Sequence, residues 1–291
     1  MATPLHRIAP GSTVGIISCS NGLRCSDAPL VEEVCTALSS IGLDVILSPC
    51  LYRLDPTPHS GIPQQRAAAL MDLYDNPLIS AIFDISGGDA ANGLLPHLDF
   101  QRIAAADKPF FALSDGSVLL NAIAAQSGRP TYHFWVRTLA GPHAQAQLAR
   151  FERQFIGGSE PFSTFDHHFL RGKRLCGPVV GGNLRCFCKL AGTRWMPRCE
   201  GALLLLESFG GTATRVGSYL DQLQQCGVFD AVAGVILGTF TELEQRQELP
   251  TVEQMVLQLT AARALGVVKS GVIGHGMDGC CIPLGAVLSL G

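Results

Sequence analysis

Charge is scarce in this chain. Only 15% of its residues are Asp, Glu, Lys or Arg, and 21 basic side chains face 24 acidic ones, for a formal net charge of −3. Without a basic excess there is no general attraction to nucleic acid or to an anionic membrane. No apolar run approaches the roughly 18 residues that would mark a membrane span. The N-terminus, Met-Ala-Thr-Pro-Leu-His-Arg-Ile-Ala-Pro, lacks a basic start followed by an apolar stretch, so no export signal is read there and a cytoplasmic setting is expected. Paired cysteines at metal-site spacing are also missing. Cys186-x-Cys188, flanked by Cys176 and Cys199, does not give Cys-x2-4-Cys pairs, and no metal or other cofactor is expected.

Apolar residues, by contrast, are plentiful at 47% of 291 residues, enough to build one large domain or two ordinary ones. The eleven cysteines read mostly as reduced, buried thiols, Cys280-Cys281 among them beside an apolar strand. Strand and helix patterns alternate over the first 130 or so residues. Strands are predicted at Val14–Ser18, Asp44–Leu47, Ala81–Ile85 and Phe110–Leu113, with helices at Ala28–Ile41, Pro63–Leu73 and Gly116–Gln126. This alternation implies an α/β fold around a mainly parallel sheet covered on both faces. Residues 141–175, richer in polar and aromatic residues, read as a linker with a helix near Ala144–Phe155. A second, smaller mixed α/β unit over 176–291 has predicted strands at Ala202–Leu206, Val232–Leu237 and Val272–Ile273. Helices are predicted at Val216–Gln225 and Thr251–Leu265.

Ligands of open α/β sheets sit at the carboxyl ends of the strands. Two turns there carry chemistry. Asp84-Ile-Ser-Gly-Gly-Asp89 follows a strand, and its paired glycines would let backbone amides approach a ligand, although it is equally a plain tight turn. Ala112-Leu-Ser114-Asp-Gly116 lies between an apolar strand and an apolar helix. It resembles a nucleophile elbow, with the alternative that Ser114 and Asp115 merely cap the helix. A serine nucleophile needs a base and the base an orienting acceptor. His275, between glycines in Ile273-Gly-His-Gly276, could reach a cleft, whereas His6, His59, His97 and His143 have surface contexts. Glu207 ends the run Ala-Leu-Leu-Leu-Leu206, where a buried carboxylate needs a partner such as an imidazole N–H.

Taken in order, these segments resemble the serine LD-carboxypeptidases, the family of murein tetrapeptide carboxypeptidases and microcin C self-immunity proteins. The similarity spans nearly the whole chain: Gly11–Ile17; Ser86-Gly-Gly88 with Asn92–Phe100; Lys108-Pro-Phe-Phe-Ala-Leu-Ser-Asp115; Gly181-Gly-Asn-Leu184 with Ala191-Gly-Thr193; Glu200–Glu207; Leu223–Gly238; and Gly274-His-Gly276 with Ile282-Pro-Leu-Gly285. The resemblance implies an N-terminal α/β domain carrying Ser114 as nucleophile and a C-terminal domain carrying Glu207 and His275. It also implies an oxyanion hole from the Gly88 and Asp115 amides, and a homodimer. The implied activity is hydrolysis of the amide between an L-centre (diaminopimelate or lysine) and the terminal D-alanine of a murein tetrapeptide, in peptidoglycan recycling.

The chain departs from the family pattern around that site. Ser86 stands where many relatives have arginine, Asp89 where an aromatic is usual, Ser208 where an acid follows the glutamate, and Ala112 where the elbow has glycine. Ser86, Asp89 and Arg215 are therefore candidate substrate contacts, with Arg215 offered to a free carboxylate. Two other outcomes remain open: an immunity-type hydrolase of peptidyl or aminoacyl nucleotides, and a catalytically silent peptide-binding protein.

Overall fold

The computed structural model describes residues 5–291, so the first four residues of the segment read for an export signal lie outside it. In the first half, β1 (Thr13–Ile17), α1 (Ala28–Ser40), β2 (Asp44–Leu47), α2 (Pro63–Asp75), β3 (Ile79–Asp84), α3 (Phe100–Ala106), β4 (Phe110–Ala112), α4 (Ser117–Ser127) and β5 (Thr131–His133) alternate. Next come α5 (Ala144–Phe151), a π-helical turn over Glu152–Ile156, β6 (His168–Arg171), β7 (Leu175–Asn183), α6 (Leu184–Cys188) and β8 (Leu203–Ser208). The chain then forms α7 (Ala213–Gln225), α8 (Val228–Ala231), β9 (Gly234–Phe240), α9 (Thr241–Gln245), α10 (Val252–Leu259), β10 (Gly266–Lys269), β11 (Ile282–Leu284) and β12 (Val287–Leu290).

Two six-stranded sheets result, in the orders β11-β5-β4-β3-β1-β2 and β12-β7-β8-β9-β10-β6. The first is parallel apart from β11, which joins β5 antiparallel. The second has four parallel strands flanked by antiparallel β12 and β6. Helices cover these sheets, so the central strands are buried on both faces: five of six residues in β3 and all of β8 are buried. The apolar stripe of α7 (Ala213, Val216, Leu220, Leu223) follows the helical period onto that core.

The stretch expected to be a linker has structure of its own. Phe151 and Phe155, at the end of α5 and in the π turn, pack among Phe83, Phe111 and Tyr132 of the first sheet, with ring centroids 4.8 to 5.8 Å apart. β6 then closes the edge of the second sheet. Two predicted elements moved. The helix expected over Thr251–Leu265 ends at Leu259, and the strand expected at Val272–Ile273 is a turn-rich loop. The strand runs instead over Gly266–Lys269.

The sheets meet through the helix that follows the elbow. Asn121 of α4 donates to Gly181 O (2.6 Å) and accepts from Gly181 N (2.8 Å), as a strand neighbour would, and Ser117 Oγ accepts from Asn183 N (2.9 Å). The carboxyl ends of β3 and β4 thereby face those of β7 and β8.

Candidate active site

Leu113 is extended, and the chain then turns sharply. Ser114 adopts φ +57°, left-handed for a residue with a side chain, and the turn Ser114–Gly116 leads directly into α4. Such a conformation costs about 1–2 kcal/mol and persists only where surroundings impose it. Part of that constraint comes from close packing across the turn: a Cβ placed on Gly116 would lie 2.5 Å from Ala112 Cβ. A small side chain at 112 is thus tolerated because 116 has none. The Asp115 carboxylate, fully buried, accepts from Ser20 Oγ (2.6 Å), Ala91 N (2.8 Å) and Lys189 Nζ (2.5 Å). Its side chain anchors the elbow to both sheets and leaves its backbone amide at the turn.

The glycine turn after β3 lies beside Ser114: a Cβ on Gly87 would stand 3.8 Å from Ser114 Oγ. Gly88 adopts φ +131°, and among the described residues its N–H donates to no acceptor. Ser86 faces the other way. It is buried, donates to Asp84 Oδ1 (2.6 Å) and accepts from Ser20 N (2.9 Å), so it shapes the turn from beneath and does not line the cleft. Burial raises the pKa of the Asp84 carboxyl beneath it, against the hydrogen bonds from Ser86 and Cys19.

Across the cleft, β8 delivers Glu207 with no exposed side-chain surface, and the loop after β10 delivers His275. His275 Nδ1 is 2.7 Å from Glu207 Oε2. A carboxylate only accepts, so the proton of this bond resides on Nδ1 and Nε2 is free to act as a base. Burial works to raise the carboxyl pKa of Glu207, but His275 and His133 outweigh it and hold the value down at about 2.

Ser114, His275, Gly88, Asp89 and Arg215 share one cleft of about 460 Å3, with Trp135, Asn183, Arg185, Ser208, Phe209 and Gly210. The imidazole of His275 is flanked by Trp135 and by Phe209, with ring centroids 5.9 and 5.2 Å away. Asp89 is exposed but committed, paired with Arg185 and lying 3.7 Å from Lys189 Nζ. Arg215 projects exposed, without an ion pair among the described residues.

Family models agree with this two-part architecture. Residues 14–134 match the LD-carboxypeptidase N-terminal domain, and residues 176–290 match the LD-carboxypeptidase C-terminal domain. The chain belongs to the LD-carboxypeptidase family. Among its relatives, a murein tetrapeptide carboxypeptidase of Pseudomonas aeruginosa is 29% identical over 78% of this chain and 77% of that protein. The microcin C7 self-immunity protein of Escherichia coli is 25% identical over 79% and 76%. The fold of the microcin protein, solved with glutamyl sulfamoyl guanosine, superposes with a TM-score of 0.87 at 22% identity, covering 98% of this chain and 94% of that one. A muramoyltetrapeptide carboxypeptidase from Oxalobacter formigenes gives 0.75 at 23%, covering 96% and 94%.

His133, buried beside Glu207, went unread in the sequence. Lying inside a three-residue strand that was also unread, it has no flanking glycine to mark it. His6, expected at the surface, packs its ring on Tyr132, with Nδ1 3.1 Å from the hydroxyl and Nε2 3.1 Å from Asp107. Six of the eleven free cysteines are buried, Cys186, Cys199, Cys280 and Cys281 among them, while Cys188 is half-buried and Cys176 exposed. No group of three metal-ligating side chains gathers among the described residues. None of the helices described is long and apolar enough to cross a membrane.

Proposed function

We propose that this chain is a serine-type LD-carboxypeptidase that removes the terminal D-alanine of a murein tetrapeptide. One observation carries the reading: a strained Ser114 shares a cleft with an imidazole whose far nitrogen is tied to a buried carboxylate.

In this scheme Ser114 Oγ attacks the carbonyl carbon of the L-centre, and its proton passes to His275 Nε2. Negative charge develops on the carbonyl oxygen, where the Gly88 and Asp115 amides receive it. Collapse of the tetrahedral intermediate breaks the C–N bond, and His275 returns the proton to the departing D-alanine amine. Water, deprotonated by His275, then hydrolyses the ester on Ser114. Glu207 fixes the imidazole tautomer and steadies its cationic form. Arg215, free of an ion pair among the described residues, would hold the terminal carboxylate. Lining the cleft beside it, Asp89 is too firmly paired with Arg185 to serve as a free acid.

A second reading rests on Phe209, 61% exposed above His275. A flat aromatic wall beside the base suits an aminoacyl nucleotide as well as a peptide. Purified protein incubated with murein tetrapeptide should release free D-alanine. Turnover of an aminoacyl-sulfamoyl adenosine with no release of D-alanine would select the second reading. Failure of an acylating inhibitor to label Ser114, with neither substrate turned over, would leave a peptide-binding protein.

A further inference from the structure

Behind the triad glutamate lies a group the scheme above does not use. His133 has no exposed side-chain surface, and neither of its ring nitrogens has a hydrogen-bond partner among the described residues. Glu207 Oε1, the oxygen not used by His275, is likewise buried and unpartnered among the described residues. These two orphans face each other, with His133 Nε2 3.8 Å from Glu207 Oε1. That separation is too long for a hydrogen bond, but a shift of roughly one ångström would close it. Leaving a buried polar atom unsatisfied costs about 1–3 kcal/mol, so closure relieves two penalties at once. Catalytic hydrogen bonds are commonly long in a ligand-free site and tighten around the substrate.

The backbone places His133 for this role. β5 lies between β4 and β11, and His133 is in register with Ala112 on one side and Ile282 on the other. Those neighbours lead to the elbow and back to the His275 loop. The second domain makes room for the ring: Gly182 of β7 has φ +119°, and a Cβ there would sit 3.1 Å from His133 Cδ2. Two residues on, Trp135 touches the outer side of His275.

We infer that His133 is a positioning residue for the LD-carboxypeptidase reaction, its Nε2–H donating to Glu207 Oε1 while His275 Nδ1–H donates to Oε2. The glutamate is then gripped on both oxygens by imidazoles from different domains, which keeps it ionised and aimed. This inference rests on the serine-hydrolase reading for its effect on rate, but not for its effect on the carboxylate. Among the described residues, the titratable groups facing that carboxylate are His275, from the loop after β10, and His133, from β5. Gly238 of β9 and Gly274 also lie close to it and bring no charge.

The test compares wild-type protein with His133→Phe, which keeps a flat ring without the donor, and His133→Gln, whose amide can replace Nε2–H. Protein carrying 13Cδ-labelled glutamate, with the Glu207 signal assigned through Glu207→Gln, reports the carboxyl titration directly. In His133→Phe the Glu207 midpoint should rise by about one pH unit, and in His133→Gln it should return most of the way. With the hydrolysed substrate, kcat should fall roughly ten- to a hundredfold in the Phe variant while KM stays within about twofold. An unchanged Glu207 midpoint, or equal losses in both variants, would overturn the inference. If neither variant folds, histidine 15N spectra of the wild-type protein decide: a proton on His133 Nε2 supports the inference and one on Nδ1 overturns it. Failure of the hydrolase reading would show separately, as absence of turnover by the wild-type protein, and would leave the titration comparison standing.

Discussion

Ser114 combines strain with exposure to the cleft, and removing its hydroxyl should separate the two. Ser114→Ala keeps the same backbone and the same left-handed turn. Turnover should drop about a thousandfold or more, with the melting temperature close to wild type; unaltered hydrolysis by the purified variant would rule Ser114 out as nucleophile. Glu207 invites a pH experiment. Its carboxyl is held at about 2, below the ordinary value of 4.5, because the two imidazoles outweigh burial. A carboxylate with a depressed pKa adds stability that is complete above the ordinary value and vanishes as pH falls through the depressed one. Its linkage to stability should therefore fade between pH 4.5 and about 2. Urea unfolding of Glu207→Gln at a series of pH values should show a flatter acid dependence than wild type across that window, by about 3 kcal/mol in total. At this scale much of the site was legible in the sequence. Ser114, Glu207 and His275 each end a strand or sit between glycines, which gives them a local signature. His133 and the inward turn of Ser86 have none, since both depend on what lies across the chain.

Elements meet at Lys189, on the residue after α6. Its ammonium donates to Asp115 Oδ1 (2.5 Å) and to Asp89 O (3.1 Å), so one cation from the second domain spans the elbow and the glycine turn. The Gly88 and Asp115 amides, proposed for the oxyanion, belong to those two turns. Replacing Lys189 by Met would leave the Asp115 carboxylate short of its cation in a fully buried place. Unfolding in urea should show a loss of about 3 kcal/mol, with kcat lowered more than KM is raised. A change under about 0.5 kcal/mol would mean that Ser20 and Ala91 hold Asp115 without help. The secondary structure was read well where the period was clear, as in α1 and β2, and poorly at α10. Arg171 of β6 explains that error. Its guanidinium donates to Leu257 O (3.3 Å) and Leu265 O (2.5 Å) and engages Thr260, satisfying carbonyls in the last turn of the helix and beyond its end. A stop made by a side chain 86 residues away leaves no trace in the local pattern. Val272–Ile273, though apolar, lies between Gly271 and Gly274 in a segment of bends and turns, and the pairing edge of β9 is taken by β10.

At the level of the whole molecule, the two sheets take their strands from the chain in order, with one exception that the sequence did not disclose. β11, from the far end of the second domain, is the edge strand of the first sheet, antiparallel to β5. After it, β12 returns to the second sheet beside β7. The chain is therefore laced across the junction three times, by the segment after β5, by the approach to β11 and by the step to β12. Lacing of this kind governs what happens when the chain is cut. A single protease nick in the stretch between Gly157 and Asp166 would leave two fragments, the smaller still contributing a strand, β11, to the larger one's sheet. They should migrate as one particle on a sizing column and retain catalytic turnover, parting only in denaturant; prompt separation in buffer would contradict the lacing. Such a protein is a natural candidate for split-and-reassemble design, its two fragments carrying in one shared sheet the means of finding each other.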